Sequence, residues 1–577
     1  MPDHDNRCRT RAARCGAVIL PAAALALLAG CVPYEAPLTM DLQRLSDRAA
    51  EPVDQAGLAI GETDPTSVED ATGAFLEEIQ DEDRGDPGES IPISLDELRR
   101  SVLQNNLDLA VVRFDPQTAE ESLNAERAKF DAIFVADASY LDAEFPTGNT
   151  TLFGLSSPDP ALSGTRGAFT ELEQDREKFN AGVGLAVPLP TGGVIGIVQD
   201  FEIDDKSAIG VSSTEDRAET RFSISQPLLR GGGVFANTAS IRLARLSLGA
   251  TEAETRLTVI RVLASAEKAY WRLWAAQRVL EVQQQQLQLA RNNYELVTRR
   301  IEEGLNAAVE RFSAELAVAQ QIEGLVVAET NVRLRARELS RVLNRTDLPV
   351  GITAPIEVTS DPRLTRFELD RDELVARALD ERLELLELEL KLASDAIKIG
   401  LARNAALPVF IVDFEFGLGD RQGTIASSFA DSYDFENPSF AIGGRASIPI
   451  TNDAAEARVR RSVLSRMQRL ASRDQKRLAI RQEVHDAADV LDQNWQRILA
   501  ARQNVIAATG NYQAEQQLFT DGLASAQDVL IAFQQLGSAR QREVSVIAAY
   551  QSAQIDLAFA TGVLLGYSNA VVDPDGP

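Results

Sequence analysis

Two long stretches of this chain carry apolar residues at every seventh position. Val259, Ala266, Leu273, Leu280, Leu287, Tyr294 and Ile301 stand on one line, and Val484, Leu491, Ile498, Val505, Tyr512 and Phe519 on another. A seven-residue period predicts slightly underwound helices, each burying one seam against a neighbour. No proline falls between Pro227 and Pro349 or between Pro449 and Pro574, so each interval can hold very long helices. The spans Asn237 to Glu303 and Asn452 to Asp521 predict rods of about 100 Å at 1.5 Å per residue. Each line stops at a glycine, Gly304 or Gly522, where a left-handed turn carries no steric penalty. A return helix is expected after each, over 308–344 and 525–562.

Other segments alternate with a period of two, as half-exposed strands must. In FNAGVGLAVPL the odd positions from Phe179 to Leu189 are apolar, and VFIVDFEFGL repeats the pattern with Phe410, Val412, Phe414, Phe416 and Leu418. Four such segments precede the first long helix (131–142, 178–189, 193–204, 219–229), and two precede the second (409–419, 439–450). Pro190-Thr191-Gly192-Gly193 predicts a tight turn, whereas the polar stretches 146–177 and 205–218 predict longer connections. Ten-residue alternating segments separated by turns are a weak signature of membrane barrel strands.

The two halves also share wording. NYELVTRRIEEGL (Asn293 to Leu305) and NYQAEQQLFTDGL (Asn511 to Leu523) align at an offset of 218, with Glu310 answering Asp528. Upstream, SLDELRRSVLQNNLDL from Ser94 answers DRDELVARALDERLEL from Asp370 at an offset of 276. The order helix, strands, long helix, tip, return helix is thus written twice, over 91–348 and 370–566, joined by a linker over 349–369.

The ends set the compartment. Arg7, Arg9, Arg11 and Arg14 followed by the apolar run from Gly16 to Leu28 predict a secretory signal over 1–30. Leu28-Ala29-Gly30-Cys31 resembles a bacterial lipobox, which implies cleavage before Cys31 and a covalent lipid on its sulfur. Cys8 and Cys15 fall inside the signal, so the mature chain has no second thiol for a disulfide. Residues 31–90 are rich in Asp, Glu, Pro and Gly and read as an acidic disordered tether, and 567–577 as a tail. A net charge of -28 argues against nucleic acid as a partner. Two histidines cannot build a metal site, and no phosphate loop or nucleophile set is present, so neither an enzyme nor a cofactor is expected. Gly231-Gly232-Gly233 lacks a Walker lysine and reads as a strand-to-helix junction. No apolar run after the signal is long enough for a membrane helix, so any membrane passage must be a closed barrel.

The lipobox, the doubled module, the Gly-Leu tips and Ser225-Gln226-Pro227-Leu228-Leu229-Arg230 before the glycines together resemble the outer membrane efflux proteins of the TolC family. The resemblance implies an α+β membrane protein: a homotrimer whose strands close an outer-membrane β-barrel, continued through the periplasm by an α-helical coiled-coil barrel. It implies a Gram-negative-type outer membrane, a passive exit duct for a tripartite efflux or type I secretion system, and a periplasmic adaptor and inner-membrane pump as partners. Gly304, Leu305, Gly522 and Leu523 would then meet the adaptor. Glu310 and Asp528 from three chains would form a carboxylate ring at the periplasmic aperture, although Ile531 stands where the family has a second acidic residue. Six strands per chain would widen the barrel beyond the family's four-per-chain version. The 178–204 hairpin is expected instead as an insertion beside the wall. The competing reading is a non-porous periplasmic coiled-coil spacer lipoprotein, and a lipid-anchored enzyme stands third.

Overall fold

A computed structural model describes residues 90–147, 172–208, 211–305, 307–348, 356–420, 427–429 and 437–564. They lie within one compact unit, Pro87–Pro577. The signal, Cys31, almost all of the tether and the tail fall outside the described residues. The first half runs β1 (Ile91–Ile93), α1 (Leu95–Asn105), α2 (Leu107–Val112), α3 (Phe114–Arg127), β2 (Ile133–Thr147), β3 (Leu172–Pro188), β4 (Val194–Ala208), β5 (Val211–Pro227), a short α4 (Val234–Asn237), α5 (Ala239–Glu302) and α6 (Val309–Leu343). The second runs β6 (Ile356–Val358), α7 (Arg371–Glu381), α8 (Leu383–Ala405), β7 (Val409–Asp420), β8 (Pro438–Ser447), α9 (Asp453–Thr520) and α10 (Ala526–Ala560).

The repeated opening phrases become repeated helix starts. Ser94 Oγ accepts the Glu97 amide ahead of α1, and Asp370 Oδ1 accepts the Asp372 and Glu373 amides ahead of α7. Both caps satisfy amides that a first helical turn leaves without partners. The short strands before them pair in parallel, Ile91 with Ile356 and Ile93 with Val358, stitching the halves together.

The long helices form as the seven-residue lines require. α5 has 64 residues and α9 has 68, and no residue of either line is exposed. Each folds back on its return helix. The main core lies midway along α5, where Tyr270, Trp271, Leu273 and Trp274 meet Ile93 and Leu98 from the first opening phrase and Tyr550 and Ile555 from α10. Tyr270 is fully buried, and its hydroxyl donates to Ile93 O at 3.1 Å and accepts the Ser360 amide at 3.0 Å. That one side chain ties a long helix to both segments that enter the repeats.

The strands make one antiparallel six-stranded sheet in the order β2-β3-β4-β5-β7-β8. This corrects the expected insertion: the 178–204 hairpin sits inside the sheet, with β3 paired to β2 and β4 paired to β5 over their lengths. The strands also run through polar stretches expected as connections. Arg176 on β3 pairs with Asp204 on β4 at 2.6 Å, Lys178 with Glu202 at 2.9 Å, and Lys206 with Glu215 on β5 at 3.4 Å. Cross-strand ion pairs let charged sequence continue a ladder that composition alone assigns to loops.

Candidate functional site

Each helical hairpin turns in the same way. Gly304 has φ +76° and Gly522 φ +79°, and the following leucine amides, Leu305 and Leu523, donate to Arg300 O and Leu518 O, both at 2.8 Å. This six-residue closure with a left-handed glycine supplies backbone donors to carbonyls of the last turn. The doubled phrase is therefore a doubled helix stop, and it leaves Leu305 65% and Leu523 77% exposed at the tips.

The two tips differ in how the return helix starts. Ser525 Oγ accepts the Asp528 amide, while Asp528 Oδ2 accepts the Ser525 amide at 3.0 Å and its hydroxyl at 2.7 Å. These Ser525 bonds hold the Asp528 carboxyl below the ordinary carboxylate range. Ala307 stands in the equivalent place of the first tip, and no side chain caps α6, whose first turn carries Glu310. Glu310 and Asp528 thus occupy matching first turns, with Asp528 engaged in its own cap.

Arg300 is a tip residue that sequence reasoning missed. Its Nη1 donates to Phe519 O at 2.8 Å and Thr520 O at 3.3 Å, and its guanidinium lies 4.6 Å from the Phe519 ring centroid. It closes the carbonyl end of α9 from the neighbouring hairpin, where a cation also complements the helix dipole. The available signal was a mismatch between the repeats, since Arg300 answers Leu518.

The sheet has two chemically opposite faces, because directly paired residues share a side. One row crosses all six strands as Phe134, Leu185, Ile197, Phe222, Phe416 and Phe440. The opposite face carries rows such as Ser139, Asn180, Glu202 and Arg217. There Arg221 pairs with Asp200 and, at 3.0 Å, with Glu415, so ion pairs run across strands from both halves of the chain.

At the helix-proximal end of the sheet, the glycine run is consumed by the junction. Asn404 Oδ1 accepts the Gly231 amide at 2.9 Å, and the Gly233 amide donates to Thr191 O at 2.9 Å in the β3–β4 turn. With these amides occupied, the run acts as a strand-to-helix joint and not as an anion cradle. Among the described residues, no His, Cys, Asp and Glu group could hold a metal, and no helix is long and apolar enough to cross a membrane.

A family model described as outer membrane efflux protein matches residues 207–345 and 374–563. No curated protein matches by sequence. Among solved structures, the outer membrane protein VceC from Vibrio cholerae is 17% identical at TM-score 0.57, covering 81% of this chain and 96% of its own. The CmeC outer membrane channel of Campylobacter jejuni is 14% identical at TM-score 0.59, covering 82% and 86%. The MtrE outer membrane channel of Neisseria gonorrhoeae is 16% identical at TM-score 0.55, covering 82% and 89%. At these identities the likeness is one of fold.

Proposed function

This chain belongs to the outer membrane efflux protein family, and on that premise we propose that it is the passive exit duct of a tripartite efflux or type I secretion system. Three copies form it. The sheet is one third of a barrel wall in the outer membrane, with its apolar face toward lipid and its charged face toward water. The helical hairpins continue the duct into the periplasm, and Gly304, Leu305, Gly522 and Leu523 meet a periplasmic adaptor bound to an inner-membrane pump. Cys31 carries the lipid anchor, and 31–90 tethers it to the body. Glu310 and Asp528 line the periplasmic aperture.

The observation that carries this reading is the two-faced sheet that ends in two edge strands, β2 and β8. An apolar face of this kind needs lipid, and a charged face needs water. The helices support it as well. Leu464, Leu478, Leu499 and Ile506 lie on a second seven-residue line of α9, interrupted by His485 and Asp492, and all four are exposed. A second unburied seam on a coiled-coil helix calls for another helix, which further copies would provide. The spacer reading gives no reason for either the apolar face or the second seam.

Solute entry into proteoliposomes tests the reading. Vesicles containing the protein swell in isotonic small sugar, as protein-free vesicles do not. Vesicles that hold folded trimer and stay osmotically tight would favour the spacer.

A further inference from the structure

The register of the sheet drifts steadily from one edge to the other. Ile133 on β2 lies in one row with Ala186, Gly196, Ser223, Glu415 and Ala441. Relative to that row the helix-proximal strand ends recede, by two residues at Pro188 and Val194, four at Pro227, and six at Val409 and Ser447. Six rows are lost over the five steps from β2 to β8. At the same pace, one further step onto the β2 of another copy gives a shift of about seven. The shift must be even, because an odd one would turn apolar residues into the lumen. β8 and β2 also run in opposite senses along the alternating sheet, as an antiparallel closure needs.

A shift of eight makes a specific match. Arg445 comes to lie opposite Asp137, both on the charged face. Within its own chain Arg445 is 75% exposed and, among the described residues, pairs only with Asp413, at 3.8 Å. Asp137 makes no ion pair within its chain among the described residues, and its carboxylate occupies the space left by Gly182. We propose that β8 of one copy pairs with β2 of the next in this register, Arg445 facing Asp137, so that three copies close an eighteen-stranded wall. The inference rests on the duct reading and deepens it.

The geometry is self-consistent. A shift of eight per copy around eighteen strands, with ordinary strand rise and spacing, tilts the strands by about 43°, inside the range of roughly 35–45° seen in barrels. Barrel diameter grows roughly linearly with strand number, so this wall is about 1.5 times as wide as a twelve-stranded one. Barrels of this size leave an aqueous channel. The outer-membrane section is then a wide aqueous passage, suited to hydrated polar cargo.

Paired cysteines in intact outer membranes test the closure, since the mature chain has no other free thiol once Cys31 is lipidated. R445C with D137C, mildly oxidised, is expected to give covalent dimers and trimers that reductant dissolves, while either single variant gives none. Cross-linking of G443C with D137C, and not of R445C with D137C, would overturn the register. Where a cysteine pair does not assemble, the charge swap serves: R445D or D137R alone lowers the melting temperature of the trimer, and the two together restore it. Absence of both cross-links and of rescue in a protein that still admits sugar to vesicles would overturn this closure and leave the duct standing. Cross-links in a protein that admits no sugar would overturn the duct alone.

Discussion

Arg300 holds the two hairpin tips together through carbonyls and a ring, and neither acceptor depends on a titrating side chain. Its replacement by alanine takes the side-chain donor from Thr520 O and leaves Phe519 O with its backbone donors, with an expected cost of about 1–3 kcal/mol for a charge-assisted bond and its ring contact. Hydrogen exchange of the amides from 519 to 523 should quicken by roughly ten-fold, and unchanged protection would contradict the role. Glu384 offers a second test. Burial pushes its carboxyl up, and the Arg382 guanidinium, bonded to it at 2.9 Å through Nε, outweighs burial and leaves it lowered. A lowered carboxylate adds stability above its unfolded pKa and loses it as pH falls through the folded value. Unfolding monitored from pH 7 downward should therefore show a loss of stability below about pH 4.5. Glu384→Gln should remove that pH-dependent part and cost about 3 kcal/mol or more at pH 7, because Arg382 stays buried without its closest anion. A variant as stable and as pH-sensitive as the parent would refute this account.

At the scale of elements, what was legible followed a period. The expected spans 237–303 and 452–521, set within proline-free intervals, located both long helices to within two residues, and the Gly-Leu pairs located their ends, because these signals reside in local sequence. The phrases beginning at Ser94 and Asp370 were legible as a repeat, and the structure shows each first residue to be a helix cap. The length of β3, β4 and β5 was not, since residues such as Arg176 and Glu215 look like loop residues until their cross-strand partners are known. The place of the 178–204 hairpin was hidden for the same reason: pairing is non-local, and alternation reports a strand without naming its neighbour. The two faces make a direct prediction. Leu185→Arg, on the apolar face, should cost about 2–4 kcal/mol if it sits near the bilayer midplane and should lower the yield of heat-modifiable trimer. Asn180→Arg, on the charged face of the same strand, should leave that yield unchanged. Equal effects of the two would contradict the assignment of faces.

For the whole molecule, the sequence repeat and the fold express one design. Each chain contributes two helical hairpins that end in matched glycine stops and share a core around Tyr270, beneath a sheet drawn from both halves. The sheet ends in two edge strands, β2 and β8, and Leu464, Leu478, Leu499 and Ile506 of α9 stay exposed within the chain. The tips were only half legible: the match of Asp528 to Glu310 lay in the repeated phrase, whereas the Ser525 cap and the Arg300 tie required the three-dimensional fold. The most direct measurement is single-channel conductance of the lipidated protein in a planar bilayer, with its oligomeric mass determined alongside. A trimer with discrete cation-selective steps, whose selectivity falls when Glu310→Gln is combined with Asp528→Asn, is the predicted result. A folded trimer that passes no current would contradict it.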